Sequence, residues 1–289
     1  MGGAGDDTAT AVQQQPSGND PFTHELRFLL TRGEAARFLE GAAGRASKTT
    51  YDPDRPISYT RTTYFDTADA AYLSSPAGEP ARRLRVRQYA SARAPGEAPV
   101  FSGVGYIELK QHLGTARSKV RMAATAGEIA ALLRDPLAAV GAPVTSGRSP
   151  SPLQTLAQEL AIDTMGPRLS TWYRRTCLTV AGQPLRITLD EGLQFCLPQP
   201  IGRAGRLATP HAREVVAAFP ARILEVKHCG ALPAWLDALL AGSRPVPAHF
   251  SKFRIGMEAL AVENQTLARP AQADPVGPGL LMLPTIVAA

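Results

Sequence analysis

Cysteine is scarce in this sequence: Cys177, Cys196 and Cys229 are the whole complement in 289 residues. Odd in number, far apart, and without a CxxC pair or a histidine at zinc spacing, they exclude a disulfide scaffold and a cysteine-built zinc site. They read as reduced thiols of a cytoplasmic protein. The five histidines lack a metal spacing such as HExxH. No GxxxxGKS/T loop is present, Gly103-Val104-Gly105 lacks the third glycine and the following helix of a dinucleotide site, and no GxSxG elbow appears. Long apolar runs are missing too. Nothing approaches the roughly 18 residues a membrane-spanning helix needs, so no transmembrane segment is expected.

The termini are equally spare. Residues 1–20 have neither a basic n-region nor an apolar h-region, so they do not resemble a secretory signal and read as a disordered leader. Residues 265–289, with Pro270, Pro275, Pro278 and Pro284, read as a flexible proline-rich tail. Residues 21–264 remain for one folded domain, and 44% hydrophobic residues suffice for its core.

What the chain does have is an excess of positive charge, 31 Lys+Arg against 25 Asp+Glu, a net charge of +6. That balance favours an anionic partner without naming it. Aromatic residues make up only 6% and are not interleaved with the basic stretches, so a single-stranded nucleic-acid platform is not expected.

Strand composition marks His24 to Thr31, Ile57 to Phe65, Arg82 to Tyr89, Tyr106 to His112, Ala116 to Met122, Arg168 to Ala181, Pro184 to Leu193 and Arg222 to His228. Helical patterns fall at Gly33 to Ala43, Ala126 to Leu133, Leu153 to Ala161, Pro233 to Leu240 and Phe250 to Asn264. Asp66 to Leu73 has the cap residues of a turn or short helix. Loops are expected near residues 90–103, 141–152 and 197–211. About eight strands in hairpin order favour an antiparallel α+β architecture.

The basic residues are not scattered. Arg83, Arg85 and Arg87 alternate with Leu84 and Val86, so the arginines share one strand face. The pattern recurs at Glu25/Arg27, Glu108/Lys110, Lys119/Arg121, Arg186/Thr188/Asp190 and Glu225/Lys227. The ordinary source of such alternation is a half-solvated sheet. Here long cations predominate on the polar face, and a sheet of this size can close, with helices packed outside and its charged face turned inward. Alternation leaves open both a half-solvated sheet and a closed barrel. The cationic interior of such a barrel requires anions, and a mixed Arg and Lys lining suits a phosphate chain. The few carboxylates can hold Mg2+ or Mn2+.

The segments HELRFLLT, TTYFDT, RLRVRQY, YIELKQ, SKVR, YRRTCL, RITLDEGL, ILEVKH and FSKFRIGMEAL, in this order between Phe22 and Leu260, resemble the VTC domain. That is the polyphosphate polymerase branch of the triphosphate tunnel metalloenzyme, or CYTH-like, superfamily. The resemblance implies a closed eight-stranded antiparallel β-barrel with helices packed outside, a triphosphate tunnel that transfers the γ-phosphate of ATP to inorganic polyphosphate with a divalent metal, Mn2+ or Mg2+. It also implies roles. Arg85, Arg87, Arg175 and Lys227 would be catalytic; Arg27, Lys110, Lys119, Arg121, Arg186 and Lys252 would bind triphosphate or the growing chain; Glu225, Glu108 and Glu25 would serve the metal. The superfamily opens on Glu-x-Glu-x-Lys, whereas this chain offers only Glu25 and Arg27. That departure favours the polymerase-like branch over small-molecule triphosphatases and cyclases, and speaks against a second metal.

Some assignments stay open. Alternation turns only one of Arg174 and Arg175 inward, and the resembling family's Tyr-x-Arg spacing selects Arg175. Lys252 is either a surface lysine or, since a lysine at a helix N-terminus is unfavourable to the dipole, the companion of a bound anion. Glu225 is either a metal ligand or a structural partner of Lys227. Arg83 stands at its strand's entrance, where it meets solvent. The partners implied are ATP and inorganic polyphosphate, with a membrane partner for the product left open. The rival functions are a tripolyphosphatase or nucleoside triphosphatase on the same fold, and a non-catalytic polyphosphate sensor.

Overall fold

The computed structural model describes residues 22–73, 81–113, 116–136, 165–198, 214–247 and 250–268. In chain order the strands are β1 (His24–Leu30), β2 (Ser47–Thr49), β3 (Ile57–Asp66), β4 (Ala81–Ala92), β5 (Val100–Leu113), β6 (Ala116–Thr125), β7 (Gly166–Thr179), β8 (Leu185–Cys196), β9 (Val215–Ala218), β10 (Arg222–His228) and β11 (Arg244–Pro245). The helices are α1 (Arg32–Ala42), α2 (Ala126–Arg134), α3 (Ala234–Leu240) and α4 (Lys252–Ala268). The helix expected over Leu153 to Ala161 and the loop at 141–152 lie outside the described residues.

All strands join one antiparallel sheet in the order β11-β1-β10-β8-β7-β3-β4-β5-β6, with β2 paired to β7 and β9 to β8. This corrects the expected barrel: the sheet has 11 strands and is not closed. Its two edges explain why. β11 is two residues long and ends in Pro245, which has no N–H to extend a ladder. At the other edge, β6 carries Lys119 and Arg121 in its sequence, and charged residues on an edge strand discourage a further strand. The expected loop at 90–103 is also shorter than supposed, since β4 runs to Ala92 and β5 begins at Val100. The segment after Asp66 is a turn. The buried Asp66 carboxylate organises it, accepting from the backbone N–H groups of Thr67, Tyr72 and Leu73.

The outer face of the sheet carries most of the core. Leu84, Val86, Ile107 and Leu109 pack with Ile129 and Leu132 of α2. Ile187, Leu189, Leu224 and Val226 pack with Phe38 of α1 and Leu236 and Leu240 of α3. Each such side chain contributes roughly 1.5–3 kcal/mol by leaving water. Both α1 and α2 start with a capping box, Thr31 with Glu34 and Thr125 with Glu128, so two orphan N–H groups of each first turn are satisfied by sequence-local chemistry.

Helix α4 departs from the expectation that the helices sit outside. Its Phe253 stacks on Tyr64, with ring centroids 5.0 Å apart, and its apolar side joins Leu169, Leu193, Phe195 and Ile223. Leu169 and Tyr64 belong to the charged face of β7 and β3, so α4 covers one end of that face. A β-bulge permits this: Trp172 pairs with Gln194 but Arg174 with Glu191, so β8 gains a residue near Gly192, whose φ is 60°. Before the bulge Arg186, Thr188 and Asp190 point to the charged face. After it Leu193 and Phe195 do, which supplies an apolar seat for α4.

Candidate anion-binding face

Two cation clusters, each gathered on a buried carboxylate, occupy the charged face. The first stands on β4, β5 and β6, where the register places Arg85 opposite Glu108 and Glu108 opposite Arg121. Glu108 is fully buried. Its Oε2 accepts from Arg85 Nε at 2.7 Å and lies 4.0 Å from Arg87 Nε, while its Oε1 lies 3.4 Å from Arg121 Nε. Arg121 donates from Nη2 to the Tyr89 hydroxyl at 2.8 Å and sits 3.6 Å above the Tyr106 ring. Burial opposes the charge of Arg87, but the Glu108 carboxylate outweighs it and holds the guanidinium firmly protonated.

The second cluster centres on Asp190 of β8. Arg175 of β7 grips it with both arms, Nε to Oδ1 at 2.7 Å and Nη2 to Oδ2 at 2.8 Å, and Lys252 of α4 donates to Oδ2 as well. Burial disfavours the carboxylate, yet Arg175 and Lys252 prevail and lower its pKa to about 2. The Lys252 ammonium lies 4.0 Å from the Tyr173 ring centroid. The Tyr173 phenol is lowered because Arg175 and Lys252 override the effect of its burial. Arg174, by contrast, is half-exposed and pairs outward with Glu191 at 2.8 Å.

A third group lies on β1 and β10. Cross-strand pairing sets Glu25 opposite Lys227 and Arg27 opposite Glu225, a checkerboard of charge. Glu25 Oε1 is 3.2 Å from Arg27 Nε, and Lys227 Nζ is 3.5 Å from Glu25 and 4.0 Å from Glu225. Burial opposes the ionisation of Glu225, but Arg175, Lys227 and Lys252 lower its pKa. Arg27 also donates to the Phe250 carbonyl at 3.4 Å. Arg186 lies over the Phe22 ring at 5.1 Å, on the same face of β8 as Thr188 and Asp190.

The structure therefore gathers Arg85, Arg87 and Arg121 on Glu108, Arg175 and Lys252 on Asp190, and Arg27 and Lys227 with Glu25 and Glu225. The three expected metal carboxylates do not converge: in sheet order β8, β7, β3 and β4 separate Glu108 from Glu225, and arginines occupy Glu108. Among the described residues no three metal-ligating side chains come together. Lys110 faces Arg83 and Lys119 in register; the Lys119 side chain lies outside the described ones. Arg83, expected to meet solvent, is part-buried and donates to Ser251 Oγ at 3.4 Å.

Sequence reasoning did not select Asp190, although it had placed that residue on the charged face. The signal was its register: Asp190 is the residue directly opposite Arg175. Side-chain atoms buried on this face without a hydrogen-bond partner among the described residues include Arg83 Nε, Arg87 Nε, Thr62 Oγ1 and Thr188 Oγ1. Buried polar groups are nearly always satisfied, so donors left open on one cationic face make it a candidate site for an anion. No helix among the described residues is long and apolar enough to cross a membrane.

The family model for the VTC domain matches residues 22–261. No curated protein sequence matches the chain. Among solved structures, an adenylate cyclase candidate from Bacillus halodurans is 11% identical, with a TM-score of 0.40, over 86% of this chain and 92% of that one. An adenylyl cyclase candidate from Hippeastrum, described as having a dominant triphosphatase activity, is 14% identical, with a TM-score of 0.44, over 81% of this chain and 94% of that one. A protein from Pyrococcus horikoshii is 11% identical, with a TM-score of 0.38, over 81% of this chain and 99% of that one.

Proposed function

The chain belongs to the VTC domain family, and from that membership we propose that it is a metal-dependent polyphosphate polymerase, moving the γ-phosphate of ATP onto a growing inorganic polyphosphate chain along its cationic face. The observation that carries this reading is the buried Arg87 guanidinium, whose Nε finds no hydrogen-bond acceptor among the described residues beside a carboxylate already shared with Arg85 and Arg121.

In the step envisaged, a terminal oxygen of the acceptor chain attacks the γ-phosphorus in line. The new P–O bond forms as the bond from the γ-phosphorus to the β–γ bridging oxygen breaks, and the electron pair leaves with ADP. No side-chain nucleophile is required, so catalysis consists of positioning and charge neutralisation. Arg87 and Arg175, held by Glu108 and Asp190, are aimed before substrate arrives and need not reorganise. Arg85, Arg121, Lys110, Lys119 and Arg186 line the route of the chain, with Arg27, Lys227 and Lys252 around the end where Glu225 lies.

The carboxylates of β1 and β10 fit a metal of the Mg2+ kind, which is commonly held by one or two carboxylates and otherwise by phosphate oxygens. Glu225, ionised and bound by no arginine fork among the described residues, would hold it with Glu25 nearby, and the metal would supply neutralisation of phosphate charge. Glu108, enclosed by three arginines, does not fit that role.

The test is to incubate the purified protein with ATP and Mn2+ and resolve the products by chain length, with Glu225→Ala alongside. Long phosphate chains are expected, with turnover lost and polyphosphate binding retained in the variant. Orthophosphate alone would make water the acceptor and the protein a triphosphatase. Tight polyphosphate binding with neither product would make it a sensor.

A further inference from the structure

Strand β3 lies between β4 and β7, and so between the two anchored clusters. Its Thr62 stands at the level of the first cluster, directly opposite Arg87, with Thr171 on its other side, while Arg175 of the second cluster lies four residues further along β7. Thr62 shares its face with Thr60 and Tyr64, two residues away on either side, and Tyr64 is the residue stacked on α4. The hydroxyl is therefore turned to the charged face, in a residue only 1% exposed.

The neighbouring threonine hydroxyls of β3 are engaged. Thr60 Oγ1 bonds the Tyr51 hydroxyl at 3.0 Å, and Thr63, on the outer face, bonds Ser170 Oγ at 2.8 Å. Thr171 donates to the Thr62 carbonyl at 3.4 Å, which leaves the Thr62 hydroxyl itself unused. Thr62 Oγ1 has no partner among the described residues, and neither has Arg87 Nε across the strand pair. A buried hydroxyl without a partner costs free energy, and valine would suit the position better in a strand. Arg87 and Arg175 meanwhile stand close enough across β3 to oppose each other's charge. An oxyanion seated beside Arg87 would offset that repulsion and satisfy both orphan donors together.

We propose that Thr62 is a phosphate-oxygen donor on the floor of the site, marking, beside Arg87 of the Glu108-anchored cations, the seat where a phosphoryl group of the substrate rests. This rests on the phosphate-transfer reading above and adds a neutral donor to it. Thr62 positions a phosphoryl group by a hydroxyl hydrogen bond that needs no charge, where a further cation would only add to the repulsion between Arg87 and Arg175.

The test combines thermal unfolding with calorimetric titration of inorganic tripolyphosphate, for wild type, Thr62→Val, Thr62→Ser and the outer-face control Thr63→Val. Thr62→Val is expected to melt at or above the wild-type temperature without ligand and to bind tripolyphosphate roughly 10- to 100-fold more weakly, the loss of one hydrogen bond to a charged group. Thr62→Ser should recover most of the affinity. Thr63→Val, which breaks a satisfied buried bond, should lose stability and keep its affinity. Wild type and Thr62→Val binding tripolyphosphate within about twofold of each other, or Thr62→Val melting early as Thr63→Val does, would overturn the assignment while leaving the cationic face intact. Wild type failing to bind tripolyphosphate at all would overturn the phosphate reading, and this inference with it.

Discussion

Replacing Asp190 with asparagine removes the one charge that holds β7, β8 and α4 together on the polar face. The folded carboxyl sits at about 2 against an ordinary 3.8; that interval corresponds to roughly 2 kcal/mol of stability. Because the folded value is depressed, the contribution is complete above about pH 4 and is lost as the pH falls toward 2. The substitution should cost more than this at neutral pH, about 3–5 kcal/mol, since it leaves Arg175 and Lys252 buried without their anion. Urea unfolding at pH 7 and at steps between pH 5 and 2 would measure both effects. Wild type should lose stability across the acid window, whereas Asp190→Asn should already be weak at pH 7 and lack this part of the acid dependence. Added tripolyphosphate should restore the variant by more than it stabilises wild type, because the two stranded cations accept a phosphate in place of the carboxylate. Equal neutral-pH stability of the two proteins, or parallel acid profiles, would refute this role for Asp190.

Two further outcomes follow from the same geometry. Gly256→Ala would drive a Cβ into Leu169 and to 2.6 Å from Phe195 Cδ1, an overpacking expected to cost about 1–3 kcal/mol; denaturation should show it, together with weaker anion binding as Lys252 shifts with α4. Arg87→Ala removes an arginine of the site while leaving Glu108 its bonds to Arg85 and Arg121, so it should weaken tripolyphosphate binding by roughly 10- to 100-fold, about 1.5–3 kcal/mol, with a much smaller change in stability measured by thermal melting.

The long strands were legible because period-2 alternation is a strong local signal, and each strand with charge at every second residue, such as Arg83 to Arg87, lies in the sheet, although β5 begins at Val100, six residues before the expected Tyr106. The short strands were not. Three residues at Ser47–Thr49, four at Val215–Ala218 and two at Arg244–Pro245 offer no period to detect, and they owe their pairing to the long strands beside them. Closure was overread for the same reason: alternation reports which face a side chain takes and is silent on whether β6 meets β11. The place of α4 on the charged face depended on a single extra residue near Gly192, which reverses the parity of β8 and brings Leu193 and Phe195 inward. At the site, the cations could be read from alternation, but which carboxylate each one meets is a matter of register. Hence Glu108, expected at the metal, anchors arginines, and Asp190 emerged only when Arg175 was found opposite it.

Titration of wild-type protein with inorganic tripolyphosphate at low and at elevated salt tests most directly the central claim that this open, cation-lined face holds a phosphate chain. Binding that weakens as salt screens the exposed part of the attraction, with a rise in melting temperature on saturation, is the expected result. No binding at either salt concentration, or a melting temperature unmoved by tripolyphosphate, would contradict it.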